Sequence, residues 1–144
     1  MEVERSASAV YEIAYHVVWC PKYRRNLPER VQGHAKTVLR TICEARGWQI
    51  HAMEVMPDHV HLFLAARPID SPVAIVKALK GISAKVLFES HPHLRTMFRK
   101  GHLWSPSYYV GTVGHVSKET VKRYVQNQKL RTRGRPAGRP SSPR

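Results

Sequence analysis

His59-Val60-His61 is the segment of this chain best suited to chemistry. Across His59-Val60-His61-Leu62-Phe63-Leu64 every second residue (Val60, Leu62, Leu64) is aliphatic and two of the residues between are histidines, which predicts a half-buried strand. Successive side chains of a strand point to opposite faces. Val60, Leu62 and Leu64 would then enter a core, while His59 and His61 project together from the other side. Two imidazoles so placed can converge on one divalent cation, and Asp58 just before them could bind that cation or orient a ligand. The same pattern also suits ordinary surface histidines, in a chain that has nine. Two ligands do not hold a catalytic metal, so a third donor is needed.

The run Ser117-Lys118-Glu119-Thr120-Val121-Lys122-Arg123-Tyr124-Val125-Gln126-Asn127-Gln128 offers one. It predicts an amphipathic helix capped by Ser117, with Tyr124 and Gln128 stacked one turn apart. A phenol and an amide there can meet the same metal-bound phosphate, with the amide oxygen as third ligand. An N,N,O set with open positions suits Mg²⁺ or Mn²⁺, though imidazoles also accept Zn²⁺. A tyrosine beside Val121 and Val125 equally fits half-buried packing.

The elements that must position these groups follow from periodicity and punctuation. Val10 to Cys20, rich in β-branched and aromatic residues, predicts a strand ended by Pro21. Pro28 opens a helix to about Arg46, with Val31, Ala35, Val38, Leu39 and Ile42 on one face and Gly47 as the stop. Strands follow over Trp48 to Met56 and His59 to Ala66, joined at Pro57-Asp58. Ser71 caps a helix running to about Ser90, with Pro72 at its first position. Pro92 to His102 predicts a short helix and loop, Trp104 to Val113 a fourth strand, and Ser117 to about Leu130 a last helix. The order β-α-β-β-α-β plus a helix predicts an α+β, ferredoxin-like sandwich with an antiparallel sheet. Residues 1–9 form an N-terminal extension, 10–130 the domain, and 131–144 a basic tail whose Pro, Gly, Arg and Ser content predicts disorder.

A chain of 144 residues, 42% of them hydrophobic, supports one core. No apolar run approaches the ~20 residues of a membrane span, and residues 1–9 lack an apolar leader. The expected location is the cytoplasm, with Cys20 and Cys43 as buried free thiols. The net charge is +14; six basic residues lie between Lys129 and Arg144, and the rest of the chain still carries +8. Such an excess points to a polyanionic partner, nucleic acid ahead of an anionic membrane surface. Lys77, Lys80 and Lys85 on the second long helix, followed by Arg95, Arg99 and Lys100, are candidate phosphate contacts. Trp104, Tyr108 and Tyr109 are candidate stacking surfaces for unpaired bases, worth ~1–3 kcal/mol each if used. Core packing for the aromatics and a solvated face for the lysines are the plain alternatives.

Four segments then occur in order: Tyr15-His16-Val17-Val18-Trp19-Cys20-Pro21-Lys22-Tyr23-Arg24-Arg25, Met56-Pro57-Asp58-His59-Val60-His61-Leu62, Trp104-Ser105-Pro106-Ser107-Tyr108-Tyr109 and Tyr124-Val125-Gln126-Asn127-Gln128. Together they resemble the TnpA-type single-tyrosine HUH transposases of compact bacterial insertion sequences, over roughly residues 10–130. The resemblance implies a ferredoxin-like or RRM-like core, a homodimer, and a divalent metal, Mg²⁺ or Mn²⁺, held by His59, His61 and Gln128. It implies Tyr124 as nucleophile and Asp58 as an acidic neighbour of the pair. It further implies action on single-stranded DNA with hairpin ends through a 5′-phosphotyrosine. Such enzymes commonly join the histidine pair of one subunit to the tyrosine helix of the other, and Gly111 and Gly114 could supply the hinge. The absence of a Gly-rich phosphate loop fits chemistry that needs no nucleotide cofactor. A general base is not evident from the sequence. The rival readings are a domesticated relative processing chromosomal repeat hairpins, a non-catalytic nucleic-acid-binding domain on the same fold, and a histidine metal-binding protein without DNA chemistry.

Overall fold

The computed structural model describes residues 4–5, 10–11, 13–98, 101–112 and 118–134. Two short strands, β1 (Glu4–Arg5) and β2 (Val10–Tyr11), pair with each other. The alternating apolar segments become β3 (Ile13–Trp19), β4 (Gln49–Met56), β5 (His59–Ala66) and β6 (Tyr109–Thr112). They form one antiparallel sheet in the order β4-β5-β3-β6, which is the ferredoxin-like arrangement.

Local chemistry sets the helix ends as the sequence predicts. α1 (Glu29–Arg46) closes on Gly47, whose φ of 74° lets its N–H reach back to Glu44 and Cys43 carbonyls. α2 (Pro72–Ser90) opens on Ser71, whose hydroxyl accepts from the Ala74 N–H at 3.1 Å. A short α3 (Leu94–Met97) follows.

α1 and α2 cover one face of the sheet. Val31, Ala35, Leu39, Ile75, Leu79 and Leu87 pack there against Val17, Trp19, Val60, Leu62 and Leu64. Leu62 is fully buried, so Leu62→Ala should cost about 2–5 kcal/mol. A urea midpoint unchanged by that substitution would contradict the assigned core. Cys20 and Cys43 are buried free thiols, and burial pushes Cys43 up to about 12.

Three expectations change. The last helix, α4 (Lys118–Gly134), runs into the segment expected to be a disordered tail. Leu130 to Arg133 hold no helix breaker, and Gly134 is the first residue that favours a stop; the later prolines had dominated the local composition. Residues 135–144 lie outside the described residues. The fourth strand is shorter than predicted: Trp104 makes only an isolated bridge to Pro21, and Pro106, which lacks a backbone donor, falls in a loop. The predicted first strand is divided, with Val10 and Tyr11 pairing to β1 and not to the central sheet.

His34 Nδ1 lies 2.9 Å from His91 Nε2 and ties α1 to the turn after α2. Burial, then His34, His93 and Arg30, holds the His91 pKa below its ordinary 6.5. The unfolded chain therefore takes up this proton at higher pH than the folded one. Stability is full above pH ~6.5 and falls as pH drops from there toward the folded pKa. His16 and His61, lowered mainly by burial, act in the same direction. The urea midpoint should fall between pH 7.5 and 5.5, less steeply in His91→Gln; an equal slope would exclude His91 as a contributor.

Candidate active site

The face of the sheet opposite α1 and α2 carries the histidines. Val60, Leu62 and Leu64 are buried in the core, so His59 and His61 share the other side of β5, each half-buried. His59 Nδ1 sits 2.9 Å from Asp58 Oδ1, a pairing that fixes the ring and leaves Nε2 as its other nitrogen. His61 has Nδ1 3.8 Å from Glu54 Oε1 and Nε2 2.9 Å from His16 Nδ1. His16 lies flat on Phe63, ring centroids 4.2 Å apart and 4° from parallel. Burial lowers the pKa of both His16 and His61, favouring the neutral imidazole that binds metals.

α4 packs on this same face. Val121 and Val125 form a small buried cluster with Val18 and Cys20 of the β3 side, joined by Tyr109 and Tyr124. Val18 is the register partner of His61 on β5 and of Tyr109 on β6. Directly opposed residues of an antiparallel pair share a face. The helix carrying Tyr124 and Gln128 therefore packs, within one chain, on the same face of the sheet as the histidine pair, against the β3 side.

The loop between Trp104 and Tyr109 meets both side chains of that helix. Ser107 Oγ is 3.0 Å from the Tyr124 phenolic oxygen, and Ser105 Oγ donates to Gln128 Oε1 at 3.4 Å. Lys80, expected at a DNA phosphate, donates its ammonium to the Ser105 carbonyl at 2.7 Å and the Ser107 carbonyl at 3.2 Å. Burial brings its pKa down to about 8. Trp104, expected as a stacking surface, is buried, and its Nε1 donates to Ser83 Oγ at 3.0 Å. A side chain packed in the core presents no face to a base. Tyr109 is half-buried beside Tyr124 with ring centroids 6.3 Å apart, whereas Tyr108 is exposed, as are Lys77 and Lys85. Arg99 and Lys100 lie outside the described residues, as does Gly114.

Among the described residues, no group of three or more His, Cys, Asp or Glu side chains comes together to hold a metal ion. Gln128, on α4, carries an amide oxygen, a donor of a type outside that set.

The profile of the family described as "Transposase IS200 like" matches residues 9–128. The chain belongs to the IS200-like transposase family. It is 40% identical over 129 residues to the ISDra2 transposase TnpA of Deinococcus radiodurans, covering 89% of this chain and 92% of that protein. It is 33% identical over 118 residues to the transposase for insertion sequence element IS200 of Salmonella typhimurium, covering 79% and 75%. A crystal structure of a Deinococcus radiodurans R1 protein superposes with a TM-score of 0.80 at 40% identity, over 87% of this chain and 97% of that one. A REP-associated tyrosine transposase bound to a REP hairpin shares the fold, with a TM-score of 0.51 at 14% identity over 93% and 75%. The transposase is a DNA-processing enzyme of this family.

Three neighbours of the site escaped the sequence reading. His16 carried a usable signal: it alternates with Val17 in a strand segment, as His59 and His61 alternate with Val60 and Leu62. Ser105 and Ser107 carried none, because a serine-proline loop reads as a turn until its carbonyls find Lys80.

Proposed function

We propose that this transposase cuts and rejoins single-stranded DNA at the ends of an insertion sequence through a covalent link to Tyr124. The observation that carries the reading is that α4 packs over the sheet face bearing His59 and His61. The phenolic oxygen of Tyr124 attacks the scissile phosphorus and gives up its proton. The bond from phosphorus to the 3′ oxygen breaks, and that oxygen leaves as a protonated 3′-hydroxyl. A 5′-phosphotyrosine remains. Rejoining reverses the exchange with a new 3′-hydroxyl, and because one phosphoester replaces another, no nucleotide is consumed.

A divalent cation, Mg²⁺ or Mn²⁺, held by His59, His61 and Gln128 would neutralise charge on the phosphoryl oxygens. Asp58 orients His59 through Nδ1, and Glu54 faces His61 Nδ1, so His61 would meet the cation through Nε2 once His16 gives up its 2.9 Å contact there. A phenol has a pKa of about 10 in water, so the nucleophile would gain from the Ser107 hydroxyl, 3.0 Å away, once that hydroxyl turns its proton toward the developing phenolate. Exposed Lys77 and Lys85 suit phosphates, and Tyr108 offers a ring for an unpaired base. Hairpins as the recognised DNA and a homodimer as the working assembly belong to the same proposal. So does a cytoplasmic location; among the described residues no helix is long and apolar enough to cross a membrane.

The test uses single strands from the DNA flanking the gene, labelled at either end, with Mg²⁺ or Mn²⁺. The segment 3′ to the cut should become attached to protein and the 5′ segment should end in a free hydroxyl. No covalent product, or equal cleavage of the same sequence as a duplex, would defeat the reading.

A further inference from the structure

Both side chains that α4 offers to the reaction rest on one loop, and that loop is fastened to α2 on the far side of the sheet's edge strand. The Ser107 hydroxyl meets the Tyr124 phenol at 3.0 Å and the Ser105 hydroxyl meets Gln128 Oε1 at 3.4 Å. The carbonyls of the same two serines accept from Lys80 Nζ, at 2.7 and 3.2 Å. Trp104, one residue earlier, is pinned to Ser83 of α2, whose hydroxyl donates in turn to the Lys80 carbonyl at 3.2 Å. Ser83 and Ser107 are both buried, and Pro106 between the serines removes a donor and narrows the backbone. A buried hydroxyl is held in a few orientations only, so the partner it meets is held as well.

We propose that Lys80 is a positioning residue for the tyrosine helix, acting through the Ser105–Ser107 loop to set where the Tyr124 phenol and the Gln128 amide stand. Without the ammonium, two carbonyls lose their shared donor, the loop relaxes, and the serine hydroxyls no longer face α4. In this arrangement two of the three ammonium N–H groups go to backbone oxygens of the loop, and the ring neighbour is Tyr108, 5.7 Å away, so the side chain is held at the loop and not extended toward solvent as those of Lys77 and Lys85 are. The inference rests on the reading of Tyr124 as nucleophile and Gln128 as ligand. Its structural half, that Lys80 holds α4 through the loop, stands apart from that reading.

The full-length variants Lys80→Met, Ser107→Ala, Ser107→Thr and the double Lys80→Met/Ser107→Ala separate the possibilities. Hydrogen exchange of the α4 amides should rise in Lys80→Met and in Ser107→Ala and return toward wild type in Ser107→Thr. Cleavage at saturating single-stranded DNA should fall about tenfold in either single variant, the size of one lost orienting hydrogen bond. DNA affinity and its salt dependence should stay unchanged. The double variant should lose no more than the worse single, because both changes break the same chain of contacts. Weaker DNA binding with a shallower salt slope, unchanged turnover at saturation and unaltered α4 exchange would overturn the proposal and make Lys80 a phosphate ligand. Multiplying losses in the double variant would also overturn it. If Lys80→Met fails to fold, the contrast of Ser107→Ala with Ser107→Thr decides: loss without rescue by the threonine hydroxyl refutes the loop's role. Wild-type protein without cleavage would refute the functional reading, while the exchange measurements would still decide the structural one.

Discussion

Tyr124→Phe should leave a folded protein that binds single-stranded DNA normally and forms no covalent product, with cleavage down at least ~10³-fold. The substitution removes one oxygen from a half-buried ring. The packing of Val121, Val125 and Tyr109 around that ring is apolar and survives, so stability should move by no more than the loss of the hydrogen bond to Ser107, about 1 kcal/mol. That separation of effects gives the test its power. A structural tyrosine would lose stability and activity together, whereas a nucleophile loses only chemistry. The non-catalytic rival, a binding domain on the same fold, predicts that every activity survives.

His59→Ala and His61→Ala should each lower cleavage by ~10²-fold or more while salt-sensitive DNA binding persists, because the lost term is charge stabilisation at the phosphate and not contact with the strand. The two should differ in their side effects. His59→Ala strips Asp58 of the imidazole it holds at 2.9 Å, a partly exposed change that leaves the sheet intact. His61→Ala opens space beneath His16, which loses its 2.9 Å partner but keeps its stack on Phe63. Direct titration with Mn²⁺ should show weakened binding in both variants. Either variant cleaving at the wild-type rate would remove the pair from the reaction.

Much of this arrangement was legible because it rests on short-range rules. The alternation through His59 to Leu64 specified which residues enter the core, and β5 spans His59–Ala66 as that alternation predicts. Ser71 and Gly47 mark helix ends by their own backbone chemistry, so α1 and α2 fall where the sequence puts them. What escaped depends on contacts between distant segments. Lys80 sits among other lysines on a helix, and nothing local distinguishes it from Lys77 or Lys85; only the arrival of Ser105 and Ser107, 25 and 27 residues later, turns it inward. Trp104 follows the same logic, since an indole in a predicted strand becomes a core residue once Ser83 supplies its acceptor. The continuation of α4 to Gly134 was hidden by averaging helix-compatible residues with the prolines that follow.

The most direct measurement is mass spectrometry of the protein–DNA adduct after nuclease and trypsin treatment. Trypsin cuts after Arg123 and Lys129, so residues 124–129 leave as one short peptide. The expected result is that this peptide carries a deoxynucleotide joined through its 5′ phosphate to the tyrosine ring. An adduct on any other residue, or DNA cut in the presence of metal with no adduct on any peptide, would contradict the mechanism.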